Sequence, residues 1–448
     1  MAREKSCFAL QPSHPMLWLS QNKHAVHGPN THAVHRNVWK VQRRMAGTVD
    51  HILQSYNAGR EPERLALKYK AMRANAFVFL RGTAHLFYQR LAEAGAMPSA
   101  PLAICCGDLH LENYGTYLGD NGLSYFDIND YDEAALAPAA ADLVRLLTSI
   151  LIAGPVIGIK RAAALELCAV AASAYRGELY RGKARWIERR TADGLIGQLM
   201  DGLKRRDPAK FLGKRTVLKR GERRLHTDGE RALPVTASER KSLQAFVATL
   251  SAPGGTIADV VFVDAARRIA GTGSLGLPRY VILVEDPTLE GNHLLLDLKS
   301  ARPSALAPHV RVAQPAWTSD GERIVTLQTH AQAASPKFLH AVTYAGQPFV
   351  LKEMQPSADR LSLDDAAKEP KALARAIASK AELSAWGQLR ASGRYGAANA
   401  GDLMAYAADK KPLEALIDIA RQCEATVLAD FAAYGRAFDD GVFNQSAS

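Results

Sequence analysis

Two short polar stretches, each bounded by apolar runs, constrain this chain more than any other feature. The first is Gly107-Asp108-Leu109-His110-Leu111-Glu112-Asn113-Tyr114-Gly115, and the second is Phe126-Asp127-Ile128-Asn129-Asp130-Tyr131-Asp132-Glu133. The apolar runs Leu102–Cys106 and Leu123–Phe126 read as short strands that feed them. Acidic loops that leave buried strands carry chemistry more often than packing. Asp108 and Asn113 stand five residues apart, and Asp127 follows fourteen residues after Asn113. One carboxylate near an attacking hydroxyl, with an amide and further carboxylates as hard oxygen ligands for Mg²⁺, is what phosphoryl transfer requires.

The Asp-x-x-x-x-Asn spacing is that of a kinase catalytic loop, and Asp127 stands where a kinase holds its Mg²⁺-binding Asp. Asp108 is expected to orient the acceptor hydroxyl. Asn113 and Asp127 are expected to hold Mg²⁺, with Asp130 extending that site and Asp132 bordering it. His110, inside the loop, is expected to brace backbone, and Arg81 to bridge to the acids. The alternative for these polar residues is a turn with a surface acidic patch. Asp142 opens the helical stretch after Pro138-Ala-Ala-Ala, which suits an acid at a helix start. In aminoglycoside-phosphotransferase-like kinases a similar Asp-Leu pair braces the catalytic loop.

A second region carries Gly271-Thr-Gly273-Ser-Leu-Gly276. It lies between predicted strands Val260–Arg267 and Arg279–Glu285, not between a strand and a helix. That context favours a phosphate-covering loop over a dinucleotide fold. Lys299 ends the next strand, His293–Lys299, and is the candidate phosphate lysine, with Lys352 as its rival. Glu322 starts the helical stretch Gly321–Ala334 and is the candidate acid to pair with Lys299; the alternative is a plain cap. A hairpin over 338–354 and a helical tail, 364–438, complete the pattern.

The 448 residues are 48% hydrophobic and 23% charged, which is ordinary for a globular protein. The five cysteines show no ligand spacing and suggest a reducing compartment. The first residues lack a signal-peptide pattern. The apolar run Leu146–Ile159 is too short to span a bilayer, and reads as a core helix broken at Gly154-Pro155. A cytoplasmic protein without a membrane segment is expected. Formal net charge is +11, and ten Lys/Arg against two acids give residues 204–224 a local charge of +8. No nucleic-acid motif accompanies that segment, so a solvated basic hairpin, turning at Arg220-Gly221, is expected there. His14, His24, His27, His32 and His35 sit in a weakly ordered N-terminal stretch without carboxylate or Cys partners.

The chain resembles the bacterial family called domain of unknown function 2252. The resemblance is carried by Phe79-Leu-Arg81-Gly82, the two acidic stretches, Gly271–Gly276 and Leu298-Lys-Ser-Ala-Arg-Pro303. It departs at Leu389–Arg394, where the family tends to carry an Ala-His-Ala-Arg-type helix. The resemblance implies an α+β, two-lobed protein-kinase-like fold. Because the acidic loops precede the Gly-rich segment, the order of parts is that of a circularly permuted kinase. The expected organisation is an N-terminal segment (1–35), a helical catalytic lobe (36–250), a β-rich nucleotide-covering lobe (251–356) and C-terminal helices (357–448). The expected function is ATP- and Mg²⁺-dependent phosphotransfer to a small-molecule hydroxyl acceptor. Gly271, Gly273, Gly276 and Lys299 would serve the nucleotide. The alternatives are a nucleotide-binding pseudokinase, a nucleotidyl transferase, and a basic anion- or nucleic-acid-binding protein.

Overall fold

The computed structural model describes residues 47–203, 207–252, 255–257, 259–286, 293–355 and 359–444. The N-terminal histidines, Lys204 to Arg206 and the turn Glu290–Asn292 lie outside the described residues. The unit formed by residues 48–448 is the subject below.

Four helices come first: α1 (Val49–Asn57), α2 (Pro62–Met72), α3 (Ala76–Gly82) and α4 (Ala84–Glu93). Pro62 starts α2, where a missing N–H costs nothing. The Asn75 side chain caps α3 by accepting from Val78 N. Four strands follow: β1 (Leu102–Cys105), β2 (Tyr114–Leu118), β3 (Ser124–Ile128) and β4 (Ala135–Pro138). They pair as nested antiparallel couples. β2 pairs with β3, Tyr114 opposite Ile128, and β1 pairs with β4, Cys105 opposite Ala135. Nesting forces the 106–113 loop and the 129–134 loop to the same end of the strands.

Next come α5 (Ala140–Val156) and α6 (Arg161–Arg181). α5 ends at Val156, one residue past Gly154-Pro155, where the expected break falls: Pro155 has no N–H for the helix ladder and its ring crowds the carbonyl four residues before it, and the chain turns through Ile157-Gly158, Gly158 with positive φ. Gly154 also allows close approach, since a Cβ there would lie 3.3 Å from Ala164 Cβ. The chain continues through β5 (Ile187–Glu188), which adds to β3, then α7 (Gly194–Leu203) and α8 (Pro208–Gly213). A hairpin of β6 (Thr216–Lys219) and β7 (Glu222–Leu225) turns at Arg220-Gly221, both with positive φ.

The remaining strands are β8 (Ala232–Pro234), β9 (Val261–Arg268), β10 (Arg279–Glu285), β11 (His293–Ser300), β12 (His340–Tyr344) and β13 (Gln347–Glu353). Helix α9 (Ala237–Leu250) separates β8 from β9, and α10 (Asp320–Ala331) separates β11 from β12. The six strands form one sheet in the order β12-β13-β11-β10-β9-β8, all neighbours antiparallel. Side chains alternate along each strand, so the sheet has two faces. Leu243, Phe246 and Val247 of α9 cover Ile282, Leu296 and Leu298. Leu225 of β7 and the partly buried Phe211 and Leu212 of α8 pack on Val281, Leu283 and Leu295 of the other face.

This also explains part of the basic charge. Arg215 stacks on Phe211 at 3.8 Å, Arg224 donates to Val263 O and Arg223 to the Thr216 hydroxyl, while Lys214, Lys219 and Arg220 are exposed. The tail forms α11 (Leu363–Ala366), α12 (Pro370–Arg390), α13 (Ala400–Ala408) and α14 (Lys411–Asp439). α12 packs on α6 and α14 on α5, so the tail shares the core of the helical region. Among the described residues no helix is long and apolar enough to cross a membrane.

Candidate functional site

The two acidic loops, the turn after β9 and the end of β11 meet around a cavity of about 710 Å³. That volume lies in the range of small-molecule sites. Asp108, Asn113, Asp130, Asp132, Glu133 and Lys299 line it, together with Gly271 to Ser274.

Asp108 is fixed from behind. Arg145, fully buried on α5, donates from Nε to Asp108 Oδ1 at 2.7 Å and bonds the same oxygen with its terminal nitrogen. Burial pushes the Asp108 carboxyl up to about 6, although Arg145 works against that rise. Asp142, in the first turn of α5, accepts the amides of Cys106 (2.7 Å) and Gly107 (3.0 Å) and so anchors the loop at its start. Gly107 is needed there. Its φ is +79°, and a Cβ would stand 2.0 Å from the Glu133 carbonyl oxygen. Buried Lys380 of α12 donates to Leu111 O at 2.6 Å and holds the middle of the loop.

Asn113 ties one loop to the other. Its amide donates to Asp108 O (3.0 Å) and Asp130 O (3.2 Å), and its oxygen accepts from Asp130 N (3.1 Å). His110 Nδ1 accepts from Glu112 N at 3.1 Å, while Nε2 lies 3.9 Å from Asp108 Oδ2. Burial, with Arg81 nearby, drives the His110 pKa well down, so the ring is neutral and supports backbone. Arg81 pairs with Glu112 at 2.5 Å, at the edge of the cavity.

Asp127 does not join this group. It is 1% exposed, it is not among the residues lining the cavity, and its oxygens accept from Ile128 N (2.8 Å), Ala333 N (3.4 Å) and Arg390 (3.3 Å). The expectation that Asp127 joins Asp108 and Asn113 at one site is not met by its position. Asp127 belongs to β3 and turns toward the α10 and α12 ends, whereas Asp130 and Asp132 follow in the loop and face the cavity. Lys299 reaches both, Asp130 at 3.0 Å and Asp132 more closely still. Burial opposes charge on all three. The Lys299 ammonium nevertheless holds Asp130 far below the usual carboxylate range, and the two acids keep Lys299 charged.

Glu322 does not pair with Lys299. It caps α10, accepting from Thr318 N and Oγ at 2.6 Å, and Ser319 accepts from Glu322 N. α10 instead sends Arg323 inward, to the carbonyls of Ala134 (2.6 Å), Arg302 (2.7 Å) and Asp132 (2.9 Å). Lys352 is absent from the cavity lining; it lies opposite Asp297, which is bound by Arg268 and Arg279.

The Gly-rich turn is latched to the helices. Arg60 donates to the carbonyls of Gly273 (2.8 Å) and Leu275 (2.9 Å), and buried Lys68 donates to Gly273 O at 2.9 Å. Gly271 and Gly273 line the cavity, whereas Gly276, with φ of +84°, packs on Arg60 and Glu61 outside it.

Arg145, Lys380, Arg323, Lys68 and Glu133 were not assigned from sequence. Arg145 carried a readable signal, a cation three residues after Asp142 in an otherwise apolar helix, which a buried helix tolerates only when paired. The others join segments distant in sequence, and only folding brings them together.

Residues 60–437 match the family described as "Uncharacterized protein conserved in bacteria (DUF2252)", and the chain belongs to it. No curated protein and no solved structure matches the chain.

Proposed function

We infer that the chain is an ATP- and Mg²⁺-dependent phosphotransferase of circularly permuted kinase type, acting on a small-molecule hydroxyl. The observation that carries this reading is the convergence of Asp108, Asn113, Asp130, Asp132 and Lys299 on one cavity from segments nearly 200 residues apart. The sheet supports it. A Gly-rich turn joins β9 to β10, Lys299 ends the third strand of that run, and a helix follows before the last two strands. This order of Gly-rich turn, lysine strand and helix supports the kinase reading, in which a phosphate-covering loop, a lysine strand and a helix follow one another. Here these parts follow the catalytic loop in the chain. The departure is α10, which offers Arg323 to the acidic loop and no Glu to the lysine.

The residues fit Mg²⁺. Among the described residues no cluster of three or more His, Cys, Asp or Glu could hold a metal alone. Mg²⁺ binds through one or two carboxylates plus substrate phosphates, and Asp130 and Asp132 supply that pair. When bound, the ion neutralises charge on the phosphates. Lys299 has the reach to exchange its carboxylate partners for a phosphate oxygen. Asp108, with Oδ1 held by Arg145, leaves Oδ2 to accept a hydrogen bond from the acceptor hydroxyl. The Arg145 fork and the Asn113 tie fix that carboxylate, and positioning supplies much of the rate in phosphoryl transfer.

Nucleotide binding and slow ATP hydrolysis, each with and without Mg²⁺, test the reading. Asp108→Asn should keep ATP affinity and lose turnover by about 10²–10⁴-fold. Lys299→Ala should weaken ATP. Wild-type protein that binds no nucleotide at millimolar ATP and Mg²⁺ would remove the proposal.

A further inference from the structure

The end of β11 brings more to the cavity than Lys299. Ser300 and Arg302 line it as well. Ser300 is 7% exposed, and its hydroxyl has no hydrogen-bond partner. The fold does not use that hydroxyl. The Ser300 amide alone ties the residue in place, donating to Pro278 O at 3.0 Å. Ser304, a few residues on, spends its own hydroxyl on Glu133 O at 2.7 Å. A buried hydroxyl left unpaired costs free energy that a bound acceptor restores.

Arg302 is exposed, and its carbonyl accepts from Arg323 at 2.7 Å. Its backbone is therefore held, while its guanidinium has no hydrogen-bond or ion-pair partner among the described residues. The acids of the lining are all engaged. Arg145 binds Asp108, Arg81 binds Glu112, Lys299 binds Asp130 and Asp132, and the Ala305 amide binds Glu133. Arg60 is committed to the Gly273 and Leu275 carbonyls. Arg302 and Arg360 are the lining cations left over. Arg360 acts on Arg81 and His110, beside the catalytic loop. Arg302 acts on Arg60, whose pKa is lowered by burial first and by Arg302 among its neighbours. Arg302 thus belongs to the side of the cavity where Arg60 holds the Gly-rich turn.

Lys299, Ser300 and Arg302 present N–H and O–H donors from one short stretch. Ammonium and guanidinium groups donate only, and the Ser300 hydroxyl has a proton to give. Their match is a group built of anionic acceptor oxygens, which a guanidinium grips with two parallel bonds. We propose that Ser300 and Arg302 bind the polyphosphate of the nucleotide, the hydroxyl donating to one phosphate oxygen and the guanidinium forking across two. The nucleotide itself rests on the phosphotransferase reading; the polyphosphate contact rests on the chemistry of residues 299–302.

Calorimetric titration of the full chain with Mg²⁺-ATP and with Mg²⁺-tripolyphosphate tests this. Ser300→Ala and Arg302→Gln should each weaken both probes by the same factor, about tenfold, the worth of one charge-assisted hydrogen bond or more. Neither variant should shift the midpoint of urea unfolding, because neither side chain has a partner within the fold. Arg302→Lys, which keeps the charge and loses the fork, should fall between wild type and Arg302→Gln. Wild-type affinity in Ser300→Ala or in Arg302→Gln overturns the proposal and leaves the phosphotransferase reading standing. A loss confined to Mg²⁺-ATP also overturns it, because the contact would then be to the nucleoside. So does a loss of affinity that comes with a lower unfolding midpoint, which marks a structural role. Tripolyphosphate that binds through Ser300 and Arg302 where ATP does not bind keeps this proposal and removes the nucleotide reading. Wild type that binds neither probe removes both.

Discussion

At the scale of single residues, neighbours in sequence part company in space. Asp127 and Asp130 are three positions apart, yet one is buried against Arg390 and the other faces Lys299 across the cavity. Asp130→Asn should therefore abolish the Mg²⁺ dependence of ATP binding, read by titration with and without the ion. Asp127→Asn should leave that dependence intact and cost about 1–3 kcal/mol of stability through its buried contacts, read by urea unfolding. Equal loss of Mg²⁺ dependence in both would return Asp127 to the metal site. Asp142 makes a pH prediction. Burial raises its carboxyl from 3.8 to about 6 despite the amides of Cys106 and Gly107. The folded state then holds the proton more tightly than the unfolded state. Its contribution to stability is complete below about pH 4 and is lost as pH rises through about 6, at most about 1.4 kcal/mol per pH unit. Asp142→Asn should flatten that part of the stability profile between pH 4 and pH 7; an unchanged slope would count against it.

At the scale of elements, the nested pairs β1–β4 and β2–β3 do more than any single contact. They set the two acidic loops side by side before any side chain is considered, and Asn129 N donates to Asn113 O at 3.0 Å across the junction. Gly107 is where this closeness is tightest. Gly107→Ala meets both a positive φ and the Glu133 carbonyl, and should cost about 2–4 kcal/mol, with ATP affinity falling alongside. A variant as stable as wild type would show that the loops have room to part. Helix α10 makes the opposite case. Glu322→Ala removes only a cap, so it should cost about 0.5–1 kcal/mol and leave ATP affinity unchanged.

At the scale of the whole molecule, the chain crosses the cavity repeatedly. The helical region supplies the loops near Asp108 and Asp130, the sheet supplies Lys299 and the Gly-rich turn, and α12 returns to hold Leu111 O through Lys380. A ligand that bridges these parts stabilises all of them. Saturating Mg²⁺-ATP, at about a hundred times its dissociation constant, should add about 2.7 kcal/mol, seen as a higher Tm. The gain should shrink in Lys299→Ala. A Tm unmoved by Mg²⁺-ATP in wild type would argue against nucleotide binding.

The amino-acid sequence by itself determined many of the strands, because apolar runs of four to eight residues bounded by turn residues leave little other choice. β1 and β3, the hairpin at Arg220-Gly221 and the three strands about the Gly-rich turn were legible on that ground, whereas β2 and β4, which pair with β3 and β1, were not. It also determined the chemistry on offer, since acids, an amide and a lysine at strand ends are visible without coordinates. Tertiary structure decided which of them act together. Asp130 over Asp127, Arg323 over Glu322, and the roles of Arg145, Lys68 and Lys380 depend on which way each side chain leaves its element. They also depend on which distant segment comes to meet it. Periodicity reports the first kind of fact, because it is local; the second rests on packing between segments hundreds of residues apart, and no local pattern encodes it.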